Sequence, residues 1–216
     1  MYRRVGFLVI ILLVFFFQNL YSKVSNFEGT INFIKESVYD TSYISLRIKN
    51  DMVRIDEFNA KKSIENSFIV NLSNKTIVAL SPKSKFYKVL NQPASPKPKN
   101  KNVIIIKTEN YIDYNGCTCY QWRVKDILHN TEVAYWVCNR DFAFFEALLK
   151  IFDAQDIGIE LFTDIPNASG MFPMLTVERT LLRKLKQQIA VVGIKEEHLN
   201  DNLFKIPRDH QKIEQQ

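Results

Sequence analysis

The sequence predicts an α+β domain in which about nine or ten antiparallel strands form a strongly curved sheet with one inserted amphipathic helix. Three observations support this fold class. Apolar and polar side chains alternate along most of the chain after Phe27, short turns separate the alternating segments, and the apolar period changes to three and four after Asn139. Because short turns join successive strands, these strands must pair antiparallel.

The N-terminus has the three parts of a secretory signal peptide. Arg3 and Arg4 supply a positive start, and Val5 to Phe17 form an uncharged apolar run. Ser22, with Leu20 two positions before it, is the expected cleavage site, although it fits less well than Ala-x-Ala would. The apolar run is about thirteen residues, shorter than the ~20 that a helix needs to span a bilayer. An uncleaved anchor or a buried helix is the alternative interpretation.

Removal of the signal divides the chain into three parts. We expect residues 1–22 to be cleaved, residues 23–207 to form one β-rich domain exported to the periplasm or beyond, and residues 208–216 to form a frayed polar tail. No Cys lies near the cleavage site, which disfavours a lipid-anchored form, and no second apolar span follows, so we expect no stable membrane span. The mature chain keeps 27 of the 29 basic residues against 23 acidic ones, and this spread-out charge disfavours a nucleic-acid partner.

Strands are predicted wherever apolar and polar side chains alternate. The first such segment begins at Phe27, and the others are 43–49, 53–55, 68–72, 77–79, 86–90, 103–106, 120–124, 132–138, 174–182 and 187–194. Val103 to Ile106 is continuously apolar, which predicts a strand buried on both faces. A turn near Lys184 to Lys186 makes the last two segments a hairpin, with a helix over 178–190 as the alternative. Residues 203–207 form a short apolar end.

Two segments interrupt the strands. Gln92 to Asn102 contains three prolines and three lysines, which predicts an exposed, extended loop. Asp141 is a good N-cap for a helix over roughly 141–153. The apolar residues that recur at helical spacing there are Phe142, Phe145, Leu148, Leu149 and Phe152.

The three cysteines are expected to meet an oxidising compartment after export. If the strands on either side of His129-Asn130 form a hairpin, Cys119 and Cys138 lie close together, which predicts a disulfide worth ~3 kcal/mol in the chain-entropy model. Cys117 is on the same face as Cys119, so a Cys117–Cys138 bridge is the competing prediction, and either pairing leaves one thiol over. No His stands at ligand spacing and Cys-x-Cys alone is not a zinc motif, so no metal site is predicted.

A series of short strand and turn segments carries a family resemblance. In order they are Phe27-Glu28-Gly29-Thr30-Ile31, Val53-Arg54-Ile55-Asp56, Val70-Asn71-Leu72 before Asn74-Lys75, Phe86-Tyr87, Gly116 through Cys119 to Trp122, Tyr135-Trp136 and Phe204-Lys205-Ile206-Pro207. The series resembles an exported family, the domain of unknown function numbered 4412, over most of residues 27–207. That family is similar in fold to the periplasmic lipoprotein carriers (LolA-like). The resemblance implies a half-barrel whose open side is covered by the helix as a lid, and it supplies no catalytic residues.

Catalytic chemistry is disfavoured. His129, His198 and His210 are expected at the surface, away from any nucleophile that they could activate. Six glycines in the whole chain give no phosphate-binding loop. We therefore predict no enzyme activity, no catalytic residue and no cofactor.

The remaining hypothesis is binding, with a lipid or lipoprotein acyl chain held in an apolar cavity between helix and sheet. The candidate lining residues of the helix are Phe142, Phe144, Phe145 and Leu149, and those of the sheet are Ile44, Leu46, Ile48, Val70 and Leu72. The alternative is a structural or interaction component of an envelope assembly, with a filled core and an envelope protein as its partner. The same residue types build a filled core and a lined cavity, so both hypotheses stay open.

Overall fold

The computed structural model describes residues 27–90, 102–140, 142–151 and 160–213. The signal segment 1–22, nearly all of the predicted loop 92–102, and the helix-flanking residues Asp141 and Phe152 lie outside the described residues. The cleavage, loop and N-cap expectations therefore remain predictions.

Twelve strands and one α-helix are present in the described part of the chain. The strands are β1 (Gly29–Ser37), β2 (Thr41–Lys49), β3 (Met52–Phe58), β4 (Ile64–Asn71), β5 (Thr76–Ser81), β6 (Phe86–Leu90), β7 (Val103–Tyr114), β8 (Cys117–Asp126), β9 (Thr131–Asn139), β10 (Met171–Thr180), β11 (Leu185–Glu196) and β12 (Gln211–Lys212). The helix α1 is Ala143–Ile151, and two 3-10 helices cover Glu160–Asp164 and Asp201–Phe204.

All twelve strands belong to one sheet, in the order β12-β6-β5-β4-β3-β2-β1-β11-β10-β9-β8-β7. Two antiparallel meanders, β1 to β6 and β7 to β11, are joined where β1 pairs with β11. Only β12 pairs parallel to its neighbour in the described sheet. Tight turns place residues at positive φ, among them Asn50, Asn115 and Asn130, because Asn tolerates the left-handed region better than most residues do. The predicted α+β class with a curved antiparallel sheet is confirmed.

The predicted helix is confirmed over Ala143–Ile151, and so is the hairpin near residue 184. β10 and β11 pair from Leu175–Ala190 to Arg179–Leu185, so the alternative of a helix over 178–190 is wrong. β7 is much longer than the predicted 103–106. Ile104 is 48% exposed, and burial on both faces is therefore wrong. The reason is that β7 is the last strand of the sheet, so alternate side chains face solvent.

The prediction of a frayed tail is wrong for residues 208–213. The backbone N–H groups of Gln211 and Ile213 donate to the carbonyls of Lys85 and Tyr87, each over 2.9 Å, and this pairing forms β12. The tail thereby covers part of the edge of β6. An unpaired strand edge offers free hydrogen-bonding groups, and a short covering strand is one way to satisfy them.

The core lies on the face of the sheet that carries α1, called here the inner face. Register places Ile31, Leu46 and Ile55 side by side on β1, β2 and β3, and all three are buried. Their neighbours along each strand alternate to the other face, the outer face. The helix adds Phe144, Phe145, Leu148 and Ile151 to the inner face.

The outer face of β1 to β3 is covered by the C-terminal segment 197–207. Lys49 Nζ donates to the carbonyl of Leu199 over 2.6 Å, and Arg54 Nη1 donates to that of Leu203 over 2.9 Å. The predicted apolar end at 203–207 thus contributes Phe204, which is buried at the end of a 3-10 helix. Both faces of β1 to β3 are therefore covered, the inner face by the core and the outer face by this segment.

Candidate functional site

A layer of phenylalanine rings joins α1 to the inner face. It is called the phenylalanine layer here. Its ring centroids lie 4.8 Å apart for Phe27 and Phe142, 5.1 Å for Phe142 and Phe172, and 4.7 Å for Phe145 and Phe172. Tilted and edge-on arrangements of this kind are favourable for aromatic pairs. The layer therefore packs α1 against β10, and it packs Phe142, just before α1, against Phe27, just before β1.

The nine predicted lining residues all belong to the hydrophobic cluster that contains this layer. Six of them are buried: Ile44, Leu46, Ile48, Val70, Phe144 and Phe145. Phe142, Leu149 and Leu72 are partly buried and pack against the same cluster. The structure thus brings helix and sheet candidates onto one continuous apolar surface, with the partly buried members at its margin.

A single carboxylate provides a polar anchor for α1. Glu146 Oε1 accepts hydrogen bonds from Ser169 Oγ at 2.5 Å and from the backbone N–H of Gly170 at 3.1 Å. The Ser169 hydroxyl, followed by the Gly170 N–H, holds the pKa of Glu146 below its usual value. This anchor ties α1 to the turn that leads into β10. No pattern in the sequence signalled it, because Glu146 and the turn are more than twenty residues apart.

The structure does not support the predicted disulfide, since Cys117, Cys119 and Cys138 are all free thiols. Their three sulfur atoms lie within 4.8 Å of one another. The hairpin on which the prediction depended does form, because Tyr120 pairs with Val137, and continuing that register places Cys119 opposite Cys138. A disulfide needs a specific separation and dihedral angle, which proximity on paired strands does not by itself supply.

Burial makes the inner two thiols poor acids. It raises the pKa of Cys119 to about 11, and it also raises the pKa of Cys138. Cys117 is only half-buried. The cysteine cluster therefore has a protected interior and one member in contact with solvent.

A pocket of about 450 Å³ lies on the outer face of β8 to β10. Ala134 and Trp136, which flank Tyr135 in β9, line the pocket, whereas the Tyr135 ring packs edge-on against Phe162 on the inner face. Side chains alternate between the two faces of a strand, so the pocket is on the outer face. Lining side chains include Arg123, Glu132, Trp136, Val177, Arg179 and Arg183. The buried Nε of Arg123 has no hydrogen-bond partner within the described ranges. Three guanidinium groups against one carboxylate make the pocket suited to an anionic group.

Each histidine ring contacts a carboxylate rather than a nucleophile. His129 Nδ1 lies 2.7 Å from Asp126 Oδ2, and His198 Nδ1 lies 3.1 Å from Glu28 Oε1, with both imidazoles exposed. The expected surface position is wrong for His210, whose side chain is only 8% exposed because β12 draws the tail onto the sheet.

The fold and its apolar layer define a single open, curled antiparallel sheet with one helix packed on it. Residues 27–210 match the family described as a domain of unknown function, DUF4412, and the chain belongs to that family. The resemblance predicted from the sequence is therefore confirmed. No curated protein sequence matches the chain.

Solved structures provide a comparison of fold. An uncharacterized conserved protein from Thermus thermophilus is 9% identical, with 86% of this chain and 90% of that chain covered and a TM-score of 0.53. The Pseudomonas aeruginosa MucA/MucB complex is 9% identical, covering 85% and 57%, with a TM-score of 0.45. A domain named for outer membrane lipoprotein sorting, from Vibrio parahaemolyticus, is 8% identical, covering 82% and 87%, with a TM-score of 0.32. Of these three, the first supports the fold, and its low identity transfers nothing further.

Across the described ranges, every helix is too short or too polar to cross a bilayer.

Proposed function

We propose that this chain is an exported, non-catalytic binding protein that holds an acyl chain of a lipid or lipoprotein between α1 and the inner face of the sheet. The export part of the proposal rests on the signal-like residues 1–22. The binding part rests on one observation, the phenylalanine layer and its continuation over the nine lining candidates. A surface of this composition gains free energy by excluding water from an alkyl chain, at roughly 0.8 kcal/mol per buried methylene group.

The attachment of α1 is suited to a lid. The contacts described above are apolar side chains and one carboxylate anchor, Glu146, at the 169–170 turn. Apolar contacts are non-directional, so an acyl chain can replace the ring contacts of Phe142 and Phe145 at little cost in hydrogen bonds. The anchor at Glu146 then serves as the pivot about which the helix moves.

The test is lipid extraction from the purified full chain followed by mass spectrometry, together with titration of a fluorescent long-chain fatty acid. We expect co-purified lipid and saturable binding of the probe. Leu149→Gln places an amide at the partly buried margin of the layer and is expected to weaken probe binding about tenfold, since burying a Leu side chain is worth ~1.5–3 kcal/mol.

Lys150→Gln is the matched control, because Lys150 is the exposed neighbour on the same helix. It is expected to leave probe binding unchanged. Far-UV circular dichroism of both variants checks the fold. If the folded wild-type chain contains no lipid and does not bind the probe, the proposal is refuted. That result supports the alternative, a structural or interaction component of an envelope assembly with a filled core.

A second candidate ligand site is the arginine-lined pocket of the outer face. The unpartnered Nε of Arg123 supports an anionic ligand there, because a buried donor without a partner gains from an acceptor. The probe is inorganic phosphate, with Arg179→Ala as the test variant and Lys184→Ala as a control outside the lining. Calorimetric binding that Arg179→Ala abolishes supports this site, and no binding to the wild type rejects it.

A further inference from the structure

The cluster of three cysteines brings together ligand atoms that the sequence keeps apart. Cys117 and Cys119 are two positions apart on β8, and Cys138 is on β9, with all three sulfur atoms within 4.8 Å of one another. The sequence motif Cys-x-Cys is too short to indicate a metal site. The antiparallel register of β8 and β9 adds the third sulfur, which changes the chemistry that the cluster can perform.

We propose that Cys117, Cys119 and Cys138 bind one soft metal ion with a filled d shell, Cu(I) or Zn(II), through three thiolate sulfurs. Thiolates are the ligands that select such ions in proteins. With metal–sulfur bonds of about 2.3 Å, three sulfurs around one ion lie ~3.8 to 4.0 Å apart in tetrahedral or trigonal geometry. The observed cluster therefore needs only small side-chain rotations to coordinate.

Metal binding changes the protonation state of the cluster. Two of the thiols are fully buried, and a buried thiol stays protonated without a metal. On binding, three sulfur–metal bonds replace three sulfur–hydrogen bonds, and the three protons leave to solvent. Burial raises the pKa of Cys119 and Cys138, and the positive charge of Arg140, which follows β9 directly, opposes part of that rise. Its charge offsets part of the negative charge that three thiolates carry in excess of the metal.

The position of the cluster also lets a metal ion reach it from solvent. Cys117 is half-buried and follows the Asn115-Gly116 turn at the tip of the β7–β8 hairpin. An ion can therefore bind first to the accessible Cys117 and then pass to the buried pair. Once bound, it cross-links β8 to β9 near the start of α1, so binding is expected to stabilise the fold by mass action.

The test uses the full chain in its reduced, metal-free form. One sample is titrated with Zn(II) in competition with a chromophoric chelator. A second sample is titrated in the absence of oxygen with Cu(I), in competition with a Cu(I)-specific chelator. We expect one equivalent of at least one ion to bind, about three protons to be released, and X-ray absorption to show three sulfur neighbours at about 2.3 Å. The ion bound in preference identifies which of the two the cluster selects.

Cys117→Ser is the first variant, because a half-buried position tolerates the change best. We expect Cys117→Ser to reduce the affinity for the metal ion more than roughly 10- to 100-fold. That range is the cost of losing a group that only hydrogen-bonds to a metal ligand, and Cys117 is itself a ligand. Cys138→Ser, checked for folding by circular dichroism, should do the same, and Thr118→Ala, the neighbour between the two β8 cysteines, should bind as the wild type does. The proposal is overturned if neither ion binds, if binding survives Cys138→Ser, or if a thiol count on protein purified without reductant finds two of the three sulfurs in a disulfide.

Discussion

The side-chain amide of Asn115 donates a 2.6 Å hydrogen bond to the backbone carbonyl of Val191. Asn115 is in the turn between β7 and β8, whereas Val191 is on β11, three strands away from β8 in the sheet. In a flat sheet, three strand spacings separate these backbones by about 14 Å, which no Asn side chain can bridge. The hydrogen bond therefore exists because the sheet curls and brings the β7–β8 hairpin over β11.

Replacement of Asn115 tests this contact. Glycine also tolerates the positive φ of 49° at this position, so Asn115→Gly removes only the side-chain amide that donates to Val191. We expect it to lower the free energy of unfolding by about 1 kcal/mol. Asn115→Ala adds the backbone cost of a left-handed conformation, so its loss should be about 1–2 kcal/mol larger. Urea denaturation of both variants measures the two contributions, and equal stability of wild type and Asn115→Gly contradicts the first.

The junction between the two meanders depends on a close backbone approach at Gly29. A Cβ atom at Gly29 would lie 2.1 Å from the carbonyl oxygen of Lys195 on β11. Gly29→Ala is therefore expected to destabilise the fold by about 2 kcal/mol or more, because β1 and β11 must separate to admit the methyl group.

Gly193 on the same strand pair provides the control, since a Cβ there meets no atom of the described residues within 4 Å. Gly193→Ala should change the free energy of unfolding by less than about 0.5 kcal/mol. Thermal or urea denaturation compares the two substitutions directly. Similar losses in both variants contradict the role assigned to Gly29.

A buried carboxylate organises the outer face of β2 to β4. Asp56 is 2% exposed, and it accepts hydrogen bonds from Arg47, from Arg54 Nε at 2.9 Å and from Ser67 Oγ at 2.5 Å. Asp56→Ala leaves two guanidinium groups without this partner, and we expect a loss of about 3 kcal/mol.

Ser67→Ala removes one hydrogen bond of the same network while keeping the charge pairing. It should lower the free energy of unfolding by about 1 kcal/mol. Urea denaturation at pH 7 separates the two effects. An Asp56→Ala variant no less stable than Ser67→Ala shows that the carboxylate does not hold the arginines.

The carboxylate anchor of α1 should make stability depend on pH. The pKa of Glu146 is lowered in the folded protein by Ser169 and Gly170, so the ionised form is the one the fold favours. The stabilisation is present above the unfolded pKa of about 4.3 and is lost as pH falls through the lowered folded value.

Glu146→Gln removes the titrating group without changing its shape. We expect the wild type to exceed this variant in stability by about 1–2 kcal/mol at pH 7, and the difference to shrink when urea denaturation is repeated near pH 3. Ser169→Ala should abolish most of that difference, because it removes the main hydrogen bond. A difference that is the same at both pH values contradicts the anchor.

Local patterns predicted most strands and the helix because the spacing of apolar residues depends on which side chains one element buries. Ile44, Leu46 and Ile48 alternate, and all are buried on the inner face. Phe145 and Leu148 recur at helical spacing, and both are on the buried side of α1. The part of β7 after Ile106 was missed, because residues 107–110 are all polar and the pairing register shifts between Lys107 and Tyr111, which breaks the simple alternation.

The sequence predicted which apolar residues belong to the candidate site, but it did not predict the contacts that arrange them. The nine lining candidates form one cluster, yet neither the anchor of Glu146 on Ser169 nor the pocket around Arg123 left a signal in the sequence. Both bring together residues from separate elements, and the pairing of those elements is not encoded in any short segment. The cysteines illustrate the same limit, since the hairpin was predicted and the state of the thiols was not.

By itself, the sequence determined the α+β class, the antiparallel pairing, the position of the helix and the membership of the family, because these depend on periodicity and on turns within short segments. The tertiary structure decided the order of the two meanders, the curl closed by Asn115 and Val191, and the approach of three free cysteines. These features depend on contacts between residues far apart in the chain. Such contacts form only when the twist and register of the whole sheet bring distant strands together.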